Sequence, residues 1–201
     1  MTIKAIIWDN WGVLVNAKCG SLVTHWSQLL DAPVDSVIRV FSGPELLRWQ
    51  ADEINNDEFY DFVIDEIGLQ ADKKATLWND SADNYEYDDK LLNYIKRLKT
   101  NYTIAMITNI DRHSFEVGQK EWPGFYEQFD PVIASCNVKM IKPNPRIYQL
   151  ALEKIGCKEQ EAVFIDDTEE FIQAAEKLGI HSILFKDREQ AIAELESIIG
   201  S

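Results

Sequence analysis

Ile3-Lys4-Ala5-Ile6-Ile7-Trp8-Asp9-Asn10-Trp11-Gly12-Val13-Leu14 decides how the rest of the chain is read. Ile3–Trp8 is nearly continuous in apolar side chains and ends abruptly on an aspartate. Such a run suits a strand buried on both faces of a parallel sheet. In open α/β sheets, ligands bind outside the carboxyl ends of the strands. Asp9 therefore stands where a functional group is expected.

Three further runs share this character: Thr103–Ile107, Ala162–Ile165 and Ser182–Phe185, with Pro131–Ala134 as a weaker fifth. Helical spacing fills the gaps. Leu91, Leu92, Ile95 and Leu98 precede the second run. Ile147, Leu150, Ala151 and Ile155 form another stripe, with Gly156 as a stop. Ile172, Ala175 and Leu178 precede Gly179, and Ala191, Leu195 and Ile198 close the chain. The second half reads β-α-β-α-β-α, which predicts a Rossmann-like, doubly wound parallel sheet in an α/β protein. From Lys18 to Asp88 no strand is evident. Trp26, Leu29 and Leu30, then Leu46, Leu47 and Trp49, then Phe59, Phe62, Val63 and Ile67 suggest helices, the last ended by Gly68. This block predicts an inserted helical cap over 18–87, with residues 1–17 and 88–201 forming the core.

The chain has 201 residues and a formal net charge of −14. So acidic a surface argues against nucleic acid or an anionic membrane as partner. An anionic substrate would need a local positive charge. Cys19, Cys136 and Cys157 are dispersed and form no Cys-x-x-Cys pair, which fits a reducing, cytoplasmic setting. The apolar start is too short for a signal peptide. Oligomeric state is left open.

The residues just past the apolar runs are Asp9, Thr108 with Asn109, and Asp166 with Asp167. Lys142 lies in a loop after Pro131–Ala134. Clustered carboxylates raise one another's pKa unless a cation sits among them, and Mg²⁺ takes oxygen ligands. A carboxylate can also act as a nucleophile. Thr108 and Lys142 can hold and neutralise a transferring anionic group. Each residue alone has a plainer reading: Asp166-Asp167-Thr168 would cap a helix, Thr108 and Asn109 suit a turn, and Lys142 suits a solvated loop.

In order, Ile6-Ile7-Trp8-Asp9-Asn10-Trp11-Gly12-Val13-Leu14, Ile107-Thr108-Asn109, Lys142-Pro143-Asn144-Pro145-Arg146-Ile147-Tyr148 and Val163-Phe164-Ile165-Asp166-Asp167 resemble the haloacid dehalogenase-like superfamily along nearly the whole chain. The resemblance implies that Asp9 is the nucleophile, Thr108 holds phosphoryl oxygens, and Lys142 screens nucleophile and substrate. It implies Mg²⁺ held by Asp9, Asp166, Asp167 and the backbone carbonyl of Trp11, with Trp11 and Asn109 beside the substrate. Phosphatases of this family usually carry a second Asp where this chain has Trp11, and many relatives have Asn or Asp where it has Phe171. The expected activity is Mg²⁺-dependent hydrolysis of a small phosphorylated metabolite. Two alternatives are metal-free dehalogenation through Asp9, and a catalytically weak protein that binds a phosphorylated ligand or partner. His113, near the second motif, and Arg48, Trp49 and Gln50 in the cap are further candidates for substrate contact.

Overall fold

The computed structural model describes residues 2–200. Five parallel strands form the central sheet: β1 (Ala5–Trp8), β4 (Thr103–Thr108), β5 (Val132–Ala134), β6 (Ala162–Asp166) and β7 (His181–Leu184), in the order β5-β4-β1-β6-β7. All five apolar runs are thus strands. β1 sits in the middle, with Ile7 in register with Ala105 on one side and Phe164 on the other.

Side-chain alternation sends two sets of residues to two cores. Ile6, Trp8, Met106, Val163 and Ile165 face α6 (Asp89–Leu98) and α12 (Arg188–Ile199). Ala5, Ile7, Ile107, Ile133 and Phe164 face α10 (Pro145–Ile155) and α11 (Glu169–Lys177). The expected stripe Leu91, Leu92, Ile95 and Leu98 is buried throughout. Gly156 ends α10 in the left-handed region at φ 78°, as its place in the sequence suggested.

The segment after β1 carries α1 (Leu22–Leu30), α2 (Val34–Phe41), α3 (Pro44–Gln50), α4 (Asn56–Ile67) and α5 (Lys74–Trp78). Trp26, Leu30, Val37, Val40, Trp49, Phe59 and Val63 give it a hydrophobic core of its own. Two expectations fail here. The segment is not wholly helical: β3 (Tyr85–Tyr87) pairs antiparallel with β2 (Val15–Ala17). Strands of three residues are too short to leave a legible period. Leu47 is also exposed, because adjacent helical positions face different directions and Leu46 and Trp49 already hold the inner face. The remaining helices are α7 (Arg112–Glu121), α8 (Pro123–Tyr126) and α9 (Ser135–Val138). Among the described residues, no helix is long and apolar enough to cross a membrane.

Candidate active site

β1, β4 and β6 end side by side and bring Asp9, Thr108 and Asp166 to one edge of the sheet. Asp9 follows directly from β1, its backbone N–H donating to the Ile165 carbonyl at 2.9 Å. The next residues fold back tightly: the Asn10 carbonyl accepts from Leu14 and Val15, and the Gly12 N–H donates to Val15. Gly12 has φ +84°, the left-handed region that glycine enters without a Cβ clash.

Lys142 is the hub. Its ammonium is 1% exposed and donates to Asp9 Oδ1 at 2.6 Å and to Asp166 Oδ2 at 2.5 Å. The loop between α9 and α10 is held in place by Asn109. Its side-chain oxygen accepts from the Lys142 N–H at 2.8 Å, and its amide donates to the Lys142 carbonyl at 3.1 Å. The Phe171 ring lies 5.0 Å from the ammonium, so the position that departs from the expected Asn or Asp packs against the hub as an aromatic face. The helix-capping reading of Asp166-Asp167-Thr168 is not met: α11 has no side-chain cap bond, and Asp166 instead closes a turn onto the cap residue. The Asp166 Oδ1 accepts from the Thr168 N–H at 2.9 Å, while its other oxygen takes Lys142.

Asp9, Asp166 and Asp167 each offer one oxygen, and the three lie within 4.8 Å of one another. Burial pushes the Asp9 carboxyl up to about 7. Asp166 adds to that rise, and Lys142 opposes it. Desolvation and Asp166 likewise raise Asp167. Burial works against a charged Lys142, yet the two carboxylates hold its pKa above the ordinary lysine range. One ammonium thus faces three carboxyl groups, an all-oxygen set suited to a hard divalent cation. Thr108 Oγ1 is buried with no hydrogen-bond partner among the described residues, so its hydroxyl is free for a ligand oxygen.

A Cβ at Gly12 would lie 2.1 Å from Asp167 Oδ2. Gly12→Ala is therefore expected to displace that carboxylate as well as strain the turn. On the Mg²⁺-holding role that the family resemblance implies for Asp167, the half-saturating Mg²⁺ concentration should rise about 10–100-fold, the scale of lost support around a metal site. Calorimetric Mg²⁺ titration of both proteins checks this; equal affinities would show that Asp167 does not hold the ion.

Trp11 is half-buried, its ring edge-on to Tyr85 at 5.1 Å. Together with Asn109 it borders a cavity of about 170 Å³ under the helical segment. Trp49 and Gln50 line this cavity, as does His113. Arg48 instead points to Glu53 on the surface. Several contributors carried no sequence signal. Asp80 accepts from Tyr85, Asn84 and His25 near the cavity. Ser135 Oγ donates to the Gln50 carbonyl at 2.7 Å and accepts from the Ile110 N–H at 2.9 Å. Arg112 grips both Asp52 oxygens, at 2.9 and 3.0 Å. The last two tie the helical segment to the sheet.

Residues 3–179 match the model of the haloacid dehalogenase-like hydrolases. The chain belongs to this family. The hydrolase is 25% identical to the sesquiterpene phosphatase astK of Aspergillus oryzae, over 99% of this chain and 98% of that one. It is 28% identical to mouse acyl-CoA dehydrogenase family member 10, over 98% of this chain; it spans only 19% of that protein. Its fold matches that of a haloacid dehalogenase family enzyme of Bacteroides thetaiotaomicron, solved with magnesium and inorganic phosphate. The TM-score is 0.75 with 22% identity, covering 94% of this chain and 98% of the other.

Proposed function

We propose that this hydrolase cleaves phosphate monoesters in a Mg²⁺-dependent reaction with Asp9 as nucleophile. The observation that carries the reading is the buried Asp9–Lys142–Asp166 array with Asp167 at its rim and a free Thr108 hydroxyl beside it. In this reading an Asp9 oxygen attacks phosphorus and the P–O bond to the alcohol breaks. The alcohol oxygen leaves with the electron pair and takes up a proton. Water then attacks phosphorus of the aspartyl-phosphate, releasing inorganic phosphate and restoring the Asp9 carboxylate. Thr108 donates to phosphoryl oxygens, and Lys142 offsets their charge and holds Asp9 in line. Asp9, Asp166, Asp167 and the Trp11 carbonyl would hold Mg²⁺, which supplies charge neutralisation at the transferring phosphoryl group. Residues 18–87 act as a cap that shelters the reaction. The adjacent carboxylates Asp166 and Asp167 favour this chemistry over metal-free dehalogenation, and the phosphatase and the magnesium–phosphate complex among the similar proteins support it.

Phosphate release from an aryl monoester, with and without a chelator, tests the reading directly. Release that stops on chelation and returns with Mg²⁺ is expected; full activity in chelator would overturn it. Trp11 adds a second expectation. An indole N–H does not exchange protons in the working range, so proton transfer to the leaving oxygen is weak and aryl esters should outpace alkyl esters. General acid–base help is worth about 10²–10⁴ in rate. Trp11→Asp should therefore raise alkyl-ester turnover by tenfold or more in protein shown by circular dichroism to be folded. Equal alkyl and aryl rates in the wild type, with no gain in the variant, would place the proton donor elsewhere.

A further inference from the structure

A cavity under the helical segment adjoins the candidate site. Trp11, two residues from Asp9, and Asn109, which bonds to the Lys142 backbone, both line it, so it adjoins the site. Aromatic side chains form much of its wall: Trp26, Trp49, Tyr60, Tyr85 and Trp122 join Trp11. Trp49 and Phe59 stack at 4.1 Å, which stiffens one wall. Among the described residues, no lysine or arginine lines it.

Its two carboxylates are engaged within the chain. Asp80 is taken up by His25, Asn84 and Tyr85. Asp111 caps α7 by accepting from the Ser114 N–H. The His113 ring packs edge-on to Trp78 at 5.1 Å. A second phosphate or a carboxylate on the substrate would meet Asp80 and Asp111 with no lysine or arginine in the lining to offset it.

We propose that the alcohol half of the substrate is uncharged and apolar, seated in this aromatic cavity. A cavity of about 150 Å³ with apolar walls holds one benzene ring. The space here, about 170 Å³, takes a single ring or a branched chain of similar volume next to the ester oxygen. The assignment rests on the phosphate-ester reading above for the identity of the bond cleaved, and on the cavity alone for what fills it.

Two measurements separate these parts. The first compares kcat/KM for 3-methylbut-2-enyl phosphate and benzyl phosphate with that for glycerol 3-phosphate and ribose 5-phosphate, in Mg²⁺. The apolar esters should lead by about 10²-fold or more, since several buried carbons contribute. Equal or faster release from the polar esters overturns the cavity assignment while leaving the phosphatase reading intact. The second titrates benzyl alcohol against glycerol and follows tryptophan fluorescence, which needs no chemistry at phosphorus. Saturable quenching or shift by benzyl alcohol alone supports the assignment even if no ester is hydrolysed; no saturable response overturns it. Leu46→Lys puts a cation in the lining. It should cut the apolar preference at least tenfold and weaken benzyl alcohol binding; an unchanged preference in folded protein counts against the cavity as the alcohol site.

Discussion

Lys142→Met should destabilise the protein by about 3–5 kcal/mol at neutral pH, the usual cost of removing one partner from a buried ion pair. The ammonium lies 2.6 Å from Asp9 and 2.5 Å from Asp166 with almost no exposure, so its loss strands two buried carboxyl groups. The defect should depend on pH with a definite sign. Burial already raises Asp9 from 3.8 to about 7, and Lys142 is what holds it from rising further. A carboxyl raised in the folded state favours folding fully below its unfolded pKa and loses that contribution as pH rises through the folded value. Without Lys142 the folded value climbs, so both proteins lose the Asp9 contribution alike up to about pH 7 and the gap between them widens as pH rises further. Urea titrations of both proteins in mild acid and in mild alkali, on either side of the Asp9 value, without metal, read this out. A gap of equal size at both pH values would mean that packing, not charge, is what Lys142 supplies.

Asp9→Asn should reduce phosphate release by on the order of 10⁴-fold or more, the scale seen when a nucleophile is removed. An amide cannot form the acyl-phosphate. The fold should survive, because Lys142 keeps Asp166 and one source of carboxylate repulsion disappears. Single-turnover phosphate release on both proteins, with benzyl alcohol binding as the check on cavity integrity, separates lost chemistry from lost structure. Substantial residual turnover in the variant would point to direct attack by water.

The sheet was legible because β1, β4 and β6 are buried on both faces and so carry unbroken apolar runs. Placement of Asp9, Thr108 and Asp166 at one edge follows from that geometry alone. Lys142 is different. It reaches the carboxylates from a loop across 133 and 24 positions of sequence; its place after the Pro131–Ala134 run made it a candidate, but nothing local marks its direction. The way Asn109 clamps the Lys142 backbone was invisible for the same reason. So were the contacts that fix the helical segment: His25 with Asp80, 55 positions apart, and Arg112 with Asp52, 60 apart. Leu47 shows the converse error, since an apolar residue in a helix is not thereby an inward one. The aromatic cavity needed α1, α3, α4 and α7 in place before Trp26 and Trp122 joined Trp11 and Trp49 as its walls.

Beryllofluoride, which forms a phosphoryl-like adduct on nucleophilic aspartates, probes Asp9 without requiring turnover. ¹⁹F NMR of the hydrolase with Be²⁺, fluoride and Mg²⁺ should show bound-fluoride resonances that vanish with a chelator and are missing from folded Asp9→Asn protein. No bound signal in the wild type, or one that persists in Asp9→Asn, would contradict a Mg²⁺-assisted phosphoryl transfer to Asp9.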